Sequence, residues 1–299
     1  MRILVTGIGG PAGAALGRQL RSLGHWVGGT DLRALDAPAA DAFQRVLRAD
    51  DPGYPEQLAE LAGRWGADAV VPSVSEELVP LARVAAAFPV PLLLGDEAAV
   101  RIADDKYATA ERLRAHGVSV PGFLLPSQAG SAAEAVERLG GSVVMKPRIS
   151  RGGRGVRVID AEHAARADAV EAWRTATDAL VVQRFAPGPE FAPVVYSPVT
   201  SLGSSRCVVL RKLALREGRT GNAVGVTRVA PEGAEVGDLA VAATHALGLS
   251  GPVDVDVRLL ADGTPAVLEV NARFGANSAS APELLREALV ELAHLAGAR

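Results

Sequence analysis

The stretch LEVNARFGANS, residues 268–278, combines polar side chains with the alternation of a β-strand. Glu269, Asn271 and Arg273 occupy every second position. Because successive strand residues point to opposite faces of a sheet, these three side chains share one face. A carboxylate and an amide are ligands for a hard cation, and a guanidinium binds phosphoryl oxygens.

The preceding segment, GPVDVDVRLLADGTPAVLEVNAR, predicts a β-hairpin that completes this face. Asp-Gly at 262–263 favours a two-residue turn with positive φ at both positions. That turn places Asp256 opposite Glu269 and Asp254 opposite Asn271. The other face is then an apolar core face with the pairs Val257–Leu268, Val255–Val270 and Val253–Ala272.

Two carboxylates that face each other across a hairpin repel, because their Cβ atoms are only about 4.5–5.5 Å apart. A divalent cation between Asp256 and Glu269 removes the conflict, and Asn271 adds an amide oxygen. Mg²⁺ takes such oxygen ligands together with phosphates, and no histidine lies near enough in sequence to favour zinc. The hairpin therefore predicts a Mg²⁺ site. The alternatives are a solvated face on which the acids are incidental, or carboxylates that are neutralised by nearby arginines.

A basic glycine loop, KPRISRGGRGV, follows a predicted strand that ends at Lys146. Glycines at such positions allow backbone N–H groups to approach phosphate oxygens closely, although the loop is not a Walker A motif. Repulsion between the arginines predicts a mobile lid that becomes ordered over a nucleotide. The glycines are Gly152, Gly153 and Gly155, and the arginines are Arg148, Arg151 and Arg154.

Lysine is rare in this chain, since only Lys106, Lys146 and Lys212 occur among 31 basic residues. In an arginine-rich chain, a lysine indicates a position that needs a compact point charge, unless its placement is chance.

The N-terminal motif GIGGPAG follows the strand RILVTG and matches G-x-G-x-x-A, and Asp31 ends the next strand. This pattern is typical of dinucleotide binding and favours a nicotinamide-dependent oxidoreductase. The alternative is a tight turn that only joins strand to helix. None of the three tyrosines has a lysine four residues later, so the YxxxK motif of short-chain dehydrogenases is missing.

Strand and helix signals alternate up to about residue 95 and predict a parallel, doubly wound unit. Helices are expected over 75–88, 96–117 and 281–296 and near 236–248. Strands are expected at 2–7, 26–31, 69–74, 91–95, 142–147, 155–159 and 180–185, and longer strand-like segments follow after residue 190.

The composition excludes several classes of protein. The chain has 299 residues, a formal charge of −3 and one cysteine, Cys207. This charge gives no case for nucleic acid or an anionic membrane, and a lone cysteine fits a reducing compartment. No apolar run reaches the length of a signal peptide or a membrane span. We therefore expect a cytoplasmic globular protein.

Four segments, taken in order, resemble the ATP-grasp superfamily: DKYATAERLRAHGVSVP, VVMKPRISRGGRGVRVI, LVVQRFAPGPEF and the acidic hairpin. The chain is most similar to short, stand-alone relatives of the carbamoyl-phosphate synthase large subunit. The resemblance implies an α/β fold with a Rossmann-like pre-ATP-grasp domain at 1–95, which binds no dinucleotide. A two-lobed ATP-grasp fold would follow, with a small lobe at 96–182 that carries the glycine-rich lid and linking helices. The C-terminal lobe at 183–299 would carry the Mg²⁺, ATP and substrate sites.

The resemblance also implies roles for individual residues. Lys106 and Lys146 would contact ATP phosphates, and Arg273 the transferred phosphate. Glu190 would hold the ribose hydroxyls. Gln183, Arg184 and Phe185 would border the adenine, and Asp256, Glu269 and Asn271 would hold two Mg²⁺ ions, or Mn²⁺.

The activity implied is that of an ATP-dependent carboxylate–amine ligase that forms an acyl phosphate, then an amide, and releases ADP and phosphate. Small amino-acid-like carboxylates and amines would be its substrates in a biosynthetic pathway. The resemblance is also compatible with a homodimer. Alternatives are a kinase of a non-carboxylate group, an oxidoreductase or a non-catalytic nucleotide-binding module. Candidate substrate-side residues are Arg211, with a catalytic role, and Arg228, Asn222, Gly275, Asn277 and Ser278.

Overall fold

The computed structural model describes residues 1–36, 38–150, 152–199, 204–229 and 233–297. Arg151 of the predicted lid lies outside these residues. Within them the chain forms three sheets, one parallel and two antiparallel.

The N-terminal sheet is parallel and has the strand order β3-β2-β1-β4, which confirms the expected doubly wound unit. Sequence analysis missed β3 and α2. The elements are β1 (Arg2–Val5), α1 (Pro11–Ser22), β2 (Trp26–Asp31), β3 (Ala42–Arg45), α2 (Tyr54–Arg64), β4 (Ala69–Val71) and α3 (Ser75–Val84).

The strand expected at 91–95 is wrong, because this segment makes only one isolated bridge, between Leu92 and Val70. Pro72 has no N–H to donate and ends β4 after three residues. The 91–95 segment therefore has almost no strand beside which to pair.

The second sheet is antiparallel, with the order β5-β8-β6-β7. The helix expected over 96–117 is two helices, because the Asp105 carboxylate caps the second by accepting from the Tyr107 N–H at 2.9 Å. Lys106 thereby begins a new helix. The elements are α4 (Glu97–Asp104), α5 (Lys106–Ala115), β5 (Phe123–Leu124), α6 (Ala132–Leu139), β6 (Val143–Pro147), β7 (Arg157–Ile159), α7 (Ala167–Arg174) and β8 (Leu180–Arg184).

The third sheet has seven strands in the order β11-β10-β14-β9-β12-β13, and β15 pairs with β14. Two helices accompany it. The elements are β9 (Glu190–Phe191), β10 (Val194–Ser197), β11 (Arg206–Val208), β12 (Leu210–Leu215), β13 (Ala223–Arg228), α8 (Ala234–Ala246), β14 (Gly251–Leu259), β15 (Pro265–Asn271) and α9 (Pro282–Gly297).

The β14–β15 hairpin has the predicted register at its polar end, where Asp254 pairs with Asn271 and Asp256 with Glu269. Towards the turn the register shifts, and Val257 pairs with Val267. The predicted Val257–Leu268 pair is therefore wrong, because a β-bulge leaves Leu268 unpaired.

The predicted two-residue turn of this hairpin is also wrong. The Leu260 N–H donates to the Thr264 carbonyl at 2.8 Å, which closes a three-residue loop. Only Gly263 in this loop has positive φ, at 87°. Asp262 keeps negative φ because its carboxylate accepts from the Thr264 N–H at 3.0 Å.

The N-terminal glycine motif makes close contacts with neighbouring parts of the chain. The Asp31 carboxylate accepts the Gly9 N–H and the Arg33 N–H, each at 3.0 Å. A Cβ at Gly13 would meet the Gly7 backbone, so this glycine brings helix α1 against the turn. The Asp31 carboxylate thus joins the glycine turn to the residues that follow β2.

We expect that neither NAD⁺ nor NADP⁺ binds this protein, because the YxxxK motif is missing and the sequence predicts a complete nucleotide site elsewhere in the chain. Calorimetric titration should show no heat of binding for either, whereas ATP with Mg²⁺ serves as the positive control. A micromolar dissociation constant, about −8 kcal/mol, would revive the oxidoreductase alternative.

Candidate functional site

A cleft of about 210 Å³ lies between the second sheet, β5-β8-β6-β7, and the seven-stranded third sheet. The small sheet contributes Val144, Lys146 and Gln183, and the large sheet contributes Glu190, Lys212 and the polar face of the hairpin. The three polar residues that share a face by sequence spacing all line this cleft: Glu269 and Asn271 of β15, and Arg273 just after it.

The opposed carboxylates of the hairpin face two ammonium groups. Lys212 Nζ lies 2.6 Å from Asp256 Oδ1, and Lys106 Nζ lies 3.4 Å from Glu269 Oε1. The repulsion predicted from the sequence is thus offset by lysines rather than by arginines.

The donor set fits a magnesium ion. Asp256, Glu269 and Asn271 offer two carboxylates and one amide oxygen at the wall of one cleft. The part of the chain that the structure describes brings no three His, Cys, Asp or Glu side chains together around one point. Mg²⁺ needs no such cage, because it binds through one or two carboxylates and completes its shell with phosphates and water.

Lys146 is a buried cation at the end of β6. Its Nζ donates to Gln183 Oε1 at 3.0 Å and to the Leu268 carbonyl at 3.1 Å. The bulge at Leu268 thus places a carbonyl against the ammonium group. Burial lowers the pKa of Lys146 to about 8. An anion that entered the cleft would therefore stabilise the protonated form of Lys146.

Lys106 lies behind Glu269, at the first position of α5. Its Nζ donates to the Ser150 carbonyl at 2.6 Å and so holds the start of the glycine loop. It lines a small adjoining cavity with Ser75 and Ser150, and Glu269 and Asn271 border both cavities.

Lys212 is the site residue that sequence analysis missed. Its side chain is 6% exposed, and its Nζ joins Asp256 to Glu190 Oε1, which lies 2.5 Å away. Although burial lowers it, the two carboxylates raise the pKa of Lys212 above its usual value. The scarcity of lysine in the sequence was the signal that could have found it.

Glu190, the predicted ribose contact, lies in the cleft between two cations. Its Oε2 is 2.9 Å from Arg258 Nε, and its Oε1 faces Lys212. Arg258 is buried and also donates to the Ala186 carbonyl at 3.2 Å. Glu190 is therefore fixed in place, and this rigidity suits a residue that must orient a ligand.

The predicted adenine-bordering residues Gln183, Arg184 and Phe185 all line the cleft. Two guanidinium groups lie near the Phe185 ring, with Arg219 Cζ 4.5 Å and Arg258 Cζ 5.2 Å from its centroid. Arg219 also bonds Asp160 Oδ1 at 2.8 Å and thereby connects the two sheets across the cleft.

The glycine loop forms one wall of the cleft through Gly152 and Gly153, which have φ of 64° and 72°. Gly155 does not line the cleft; a Cβ there would meet the Pro147 ring. The predicted repulsion that involves Arg148 is wrong, because its Nε donates to the Asp105 carboxylate at 3.0 Å. The lid remains a prediction.

Arg273 lies beside the buried carboxylate of Asp254. Arg273 Nη1 is 3.6 Å from Asp254 Oδ2, and its Nε donates to Ser75 Oγ at 3.3 Å. Burial, reinforced by Asp256, raises the pKa of Asp254 to about 6. Gly275 packs on this carboxylate so closely that a Cβ would overlap it.

Several predicted substrate-side residues lie elsewhere. Arg211 is exposed and does not line the cleft, because strand alternation turns it to the face of β12 opposite Lys212. Arg228 is held outside by the Ser280 carbonyl at 2.9 Å and by Glu283.

The loop after β15 is only partly as predicted. Asn277 lines the cleft, as does Asn222 from the β12–β13 connection. Ser278 is buried, and its hydroxyl donates to the Gly275 carbonyl at 2.7 Å, so it supports the loop from within.

Two sheets that close on a cleft of lysines and opposed carboxylates, behind a parallel N-terminal sheet, define the ATP-grasp architecture. The family model described as an ATP-grasp domain matches residues 103–277. Because this match covers more than half of the chain, the protein belongs to the ATP-grasp family.

Solved structures show the same fold. An L-amino acid ligase from Bacillus licheniformis is 21% identical with a TM-score of 0.69, over 93% of this chain and 68% of that one. An ADP complex of N5-carboxyaminoimidazole synthetase from Staphylococcus aureus is 17% identical with a TM-score of 0.70, over 91% and 70%. Biotin carboxylase from Campylobacter jejuni is 17% identical with a TM-score of 0.70, over 95% and 67%. At these identities the likeness establishes the fold alone.

No curated protein sequence matches this chain. Among the described residues, no helix has both the length and the apolar character to cross a membrane.

Proposed function

We propose that this protein is an ATP-dependent carboxylate–amine ligase that works through an acyl phosphate and releases ADP. The observation that carries the proposal is the hairpin face on which Asp256 and Glu269 lie opposite each other with Asn271 and Arg273 beside them, in the cleft between the two sheets. This face combines oxygen ligands for a metal with a guanidinium for a transferred phosphoryl group.

Phosphoryl transfer requires positioning and charge stabilisation more than a nucleophilic side chain. The chain supplies both. Lys146 and the N–H groups around Gly152 and Gly153 would hold the β- and γ-phosphates, and Arg273 would bind the γ-phosphoryl group as it reaches the substrate carboxylate. The hydrogen bonds of Lys146 to Gln183 and Leu268 fix its ammonium group in advance.

Asp256, Glu269 and Asn271 would hold two Mg²⁺ ions, which neutralise the charge of the phosphates. The chain's part is to orient these oxygens, and Lys106 and Lys212 do so by contacting the two carboxylates. Glu190, fixed by Arg258, would accept hydrogen bonds from the ribose, and Phe185 would border the adenine.

The substrate class rests on the cleft and on one relative. The cleft measures about 210 Å³, and Asp254, Ala276 and Asn277 belong to its lining together with Arg273, which suits small, polar molecules. The L-amino acid ligase in the same fold acts, by its name, on amino acids. We infer amino-acid-like carboxylate and amine substrates.

We expect ADP and phosphate as products, because Lys146 and Arg273 would stabilise charge on the γ-phosphoryl group, so the β–γ bond breaks. The measurement is a screen of pairs of the proteinogenic L-amino acids for ATP-dependent phosphate release, with separation of ADP from AMP. For the active pair, an ¹⁸O-labelled carboxylate should transfer one label to phosphate, and hydroxylamine should trap a hydroxamate.

Omission of the amine, with only the carboxylate and ATP present, is the control for hydrolysis. AMP and pyrophosphate as products, or phosphate without label, would contradict the acyl-phosphate mechanism. A stable phosphorylated product without phosphate release would indicate a kinase.

A further inference from the structure

Asp254 is a buried carboxylate for which the roles described above have no use. It lies on β14 two residues before Asp256 and is 8% exposed. Its Oδ1 atom is buried and has no hydrogen-bond partner among the described residues. A buried carboxylate oxygen without a partner is costly, so a retained one suggests that a ligand supplies the missing contact.

The cationic neighbours of Asp254 leave this charge incompletely matched. Its Oδ2 is 3.6 Å from Arg273 Nη1, which is longer than a charge-assisted hydrogen bond. Arg273 instead donates to the Phe274 carbonyl at 3.1 Å and to Ser75 Oγ at 3.3 Å. Lys106 and Lys212 contact Glu269 and Asp256 rather than Asp254.

The surroundings of Asp254 form a built subsite. Asp254, Ala276 and Asn277 line the same cleft. A Cβ at Gly275 would overlap the Asp254 carboxylate, so a glycine is required for the carboxylate to lie there. The side chain is therefore fixed between the β14–β15 pair and the loop that follows.

A role as a further metal ligand fits less well. Within the described parts of the chain, no three carboxylate, imidazole or thiol groups converge as a metal cage would require. The Arg273 guanidinium lies 3.6 Å from Asp254 Oδ2 and already supplies a positive charge on this side of the carboxylate. Asp254 therefore faces the Arg273 side, where the phosphorylated carboxylate would lie.

We propose that Asp254 is the counter-ion that binds the ammonium group of the amine substrate beside the acyl phosphate. This inference rests on the proposed function and names its acceptor as a primary amine that arrives as a cation. An ammonium group donates up to three hydrogen bonds, and the partnerless Oδ1 of Asp254 accepts one of them. The nitrogen is then held near Arg273 and the acyl carbon. Once the ammonium group has lost a proton to water, the C–N bond forms at this carbon and the C–O bond to phosphate breaks.

The first test measures binding without turnover. Saturation-transfer NMR with AMP-PNP and Mg²⁺ compares L-alaninamide, which carries an ammonium group, with N-acetyl-L-alaninamide, which does not. The protein should bind only the former. Asp254→Asn should weaken this binding by at least about thirtyfold, the size expected when a buried charge pair loses one charge.

Two further variants complete this test. Asp262→Asn, at the exposed turn of the same hairpin, should bind L-alaninamide as the parent protein does. Gly275→Ala keeps the charge but displaces the carboxylate, so it should also weaken binding and tests the subsite even if Asp254→Asn does not fold. Equal binding of both probes, or unchanged binding in both cleft variants, would overturn the proposal.

The second test separates this inference from the proposed function. Hydroxylamine is a neutral acceptor at neutral pH, so hydroxamate formation needs no counter-ion for an ammonium group. In Asp254→Asn the ratio of amide to hydroxamate formed should fall at least about tenfold, which is 1.4 kcal/mol of differential stabilisation. An unchanged ratio would overturn the role of Asp254. Absence of hydroxamate with the parent protein would refute the ligase instead, and the binding test would still decide on Asp254.

Discussion

Glu269→Gln is expected to lower kcat on the order of a hundred- to a thousandfold, the loss typical when one preorganised electrostatic contact is removed from an active site. The substitution keeps the shape of the side chain and removes the charge that faces Asp256 and Lys106. Asp256 and Asn271 would then hold the metal without the negative charge of Glu269. The Mg²⁺ concentration for half-maximal activity should therefore rise as well.

The measurement is the steady-state rate as a function of Mg²⁺ concentration, together with thermal unfolding to show that the fold is intact. Glu283→Gln is the matched control, because Glu283 pairs with Arg228 at the surface and outside the cleft. Full Mg²⁺-dependent activity in Glu269→Gln would remove the metal site from the hairpin.

The second large effect is expected from Lys212→Met, which should destabilise the fold by about 3–5 kcal/mol, the usual cost when one partner of a buried ion pair is removed. Lys212 is the ammonium group between Glu190 and Asp256, so its loss leaves two carboxylates without their shared counter-ion. Mg²⁺ should restore part of the lost stability in this variant, because a cation bound at Asp256 replaces some of the missing charge.

Chemical denaturation with and without Mg²⁺ measures both effects. Arg211→Met is the matched control, since its side chain lies on the exposed face of the same strand, and it should change the free energy of unfolding by no more than about 0.5 kcal/mol. Equal stability of the two variants would show that the ion pairs of Lys212 contribute nothing.

The contrast between Arg211 and Lys212 shows what the sequence left open. Both positions belong to a strand, and alternation requires that they face opposite sides. The sequence does not state which side meets the cleft, because the mixed pattern of β12 has no continuous apolar face. Only the packing of β12 between β9 and β13 decides it.

The hairpin was more predictable because its pattern is strict. Alternation and the Asp-Gly turn were enough to place Asp256 opposite Glu269. The bulge at Leu268 was not predictable from the hairpin itself, since the Leu268 carbonyl contacts Lys146, which is 122 residues away in sequence. Likewise, Arg228 was placed at the substrate by its charge, but Glu283 of α9 binds it at the surface.

The concentration of lysine in the cleft has a consequence for the chemical reactivity of the protein. All three primary-amine side chains lie in or beside the candidate site, two of them in ion pairs, whereas the pKa of Lys146 is about 8. Apart from the N-terminal amine, the amine targets of an acylating or aldehyde reagent therefore all lie in or beside this cleft. Since Lys106 and Lys146 are buried and the Lys212 side chain is 6% exposed, the extent to which a reagent labels lysine in the folded protein would report on access to the cleft. A nucleotide bound there should lower this labelling.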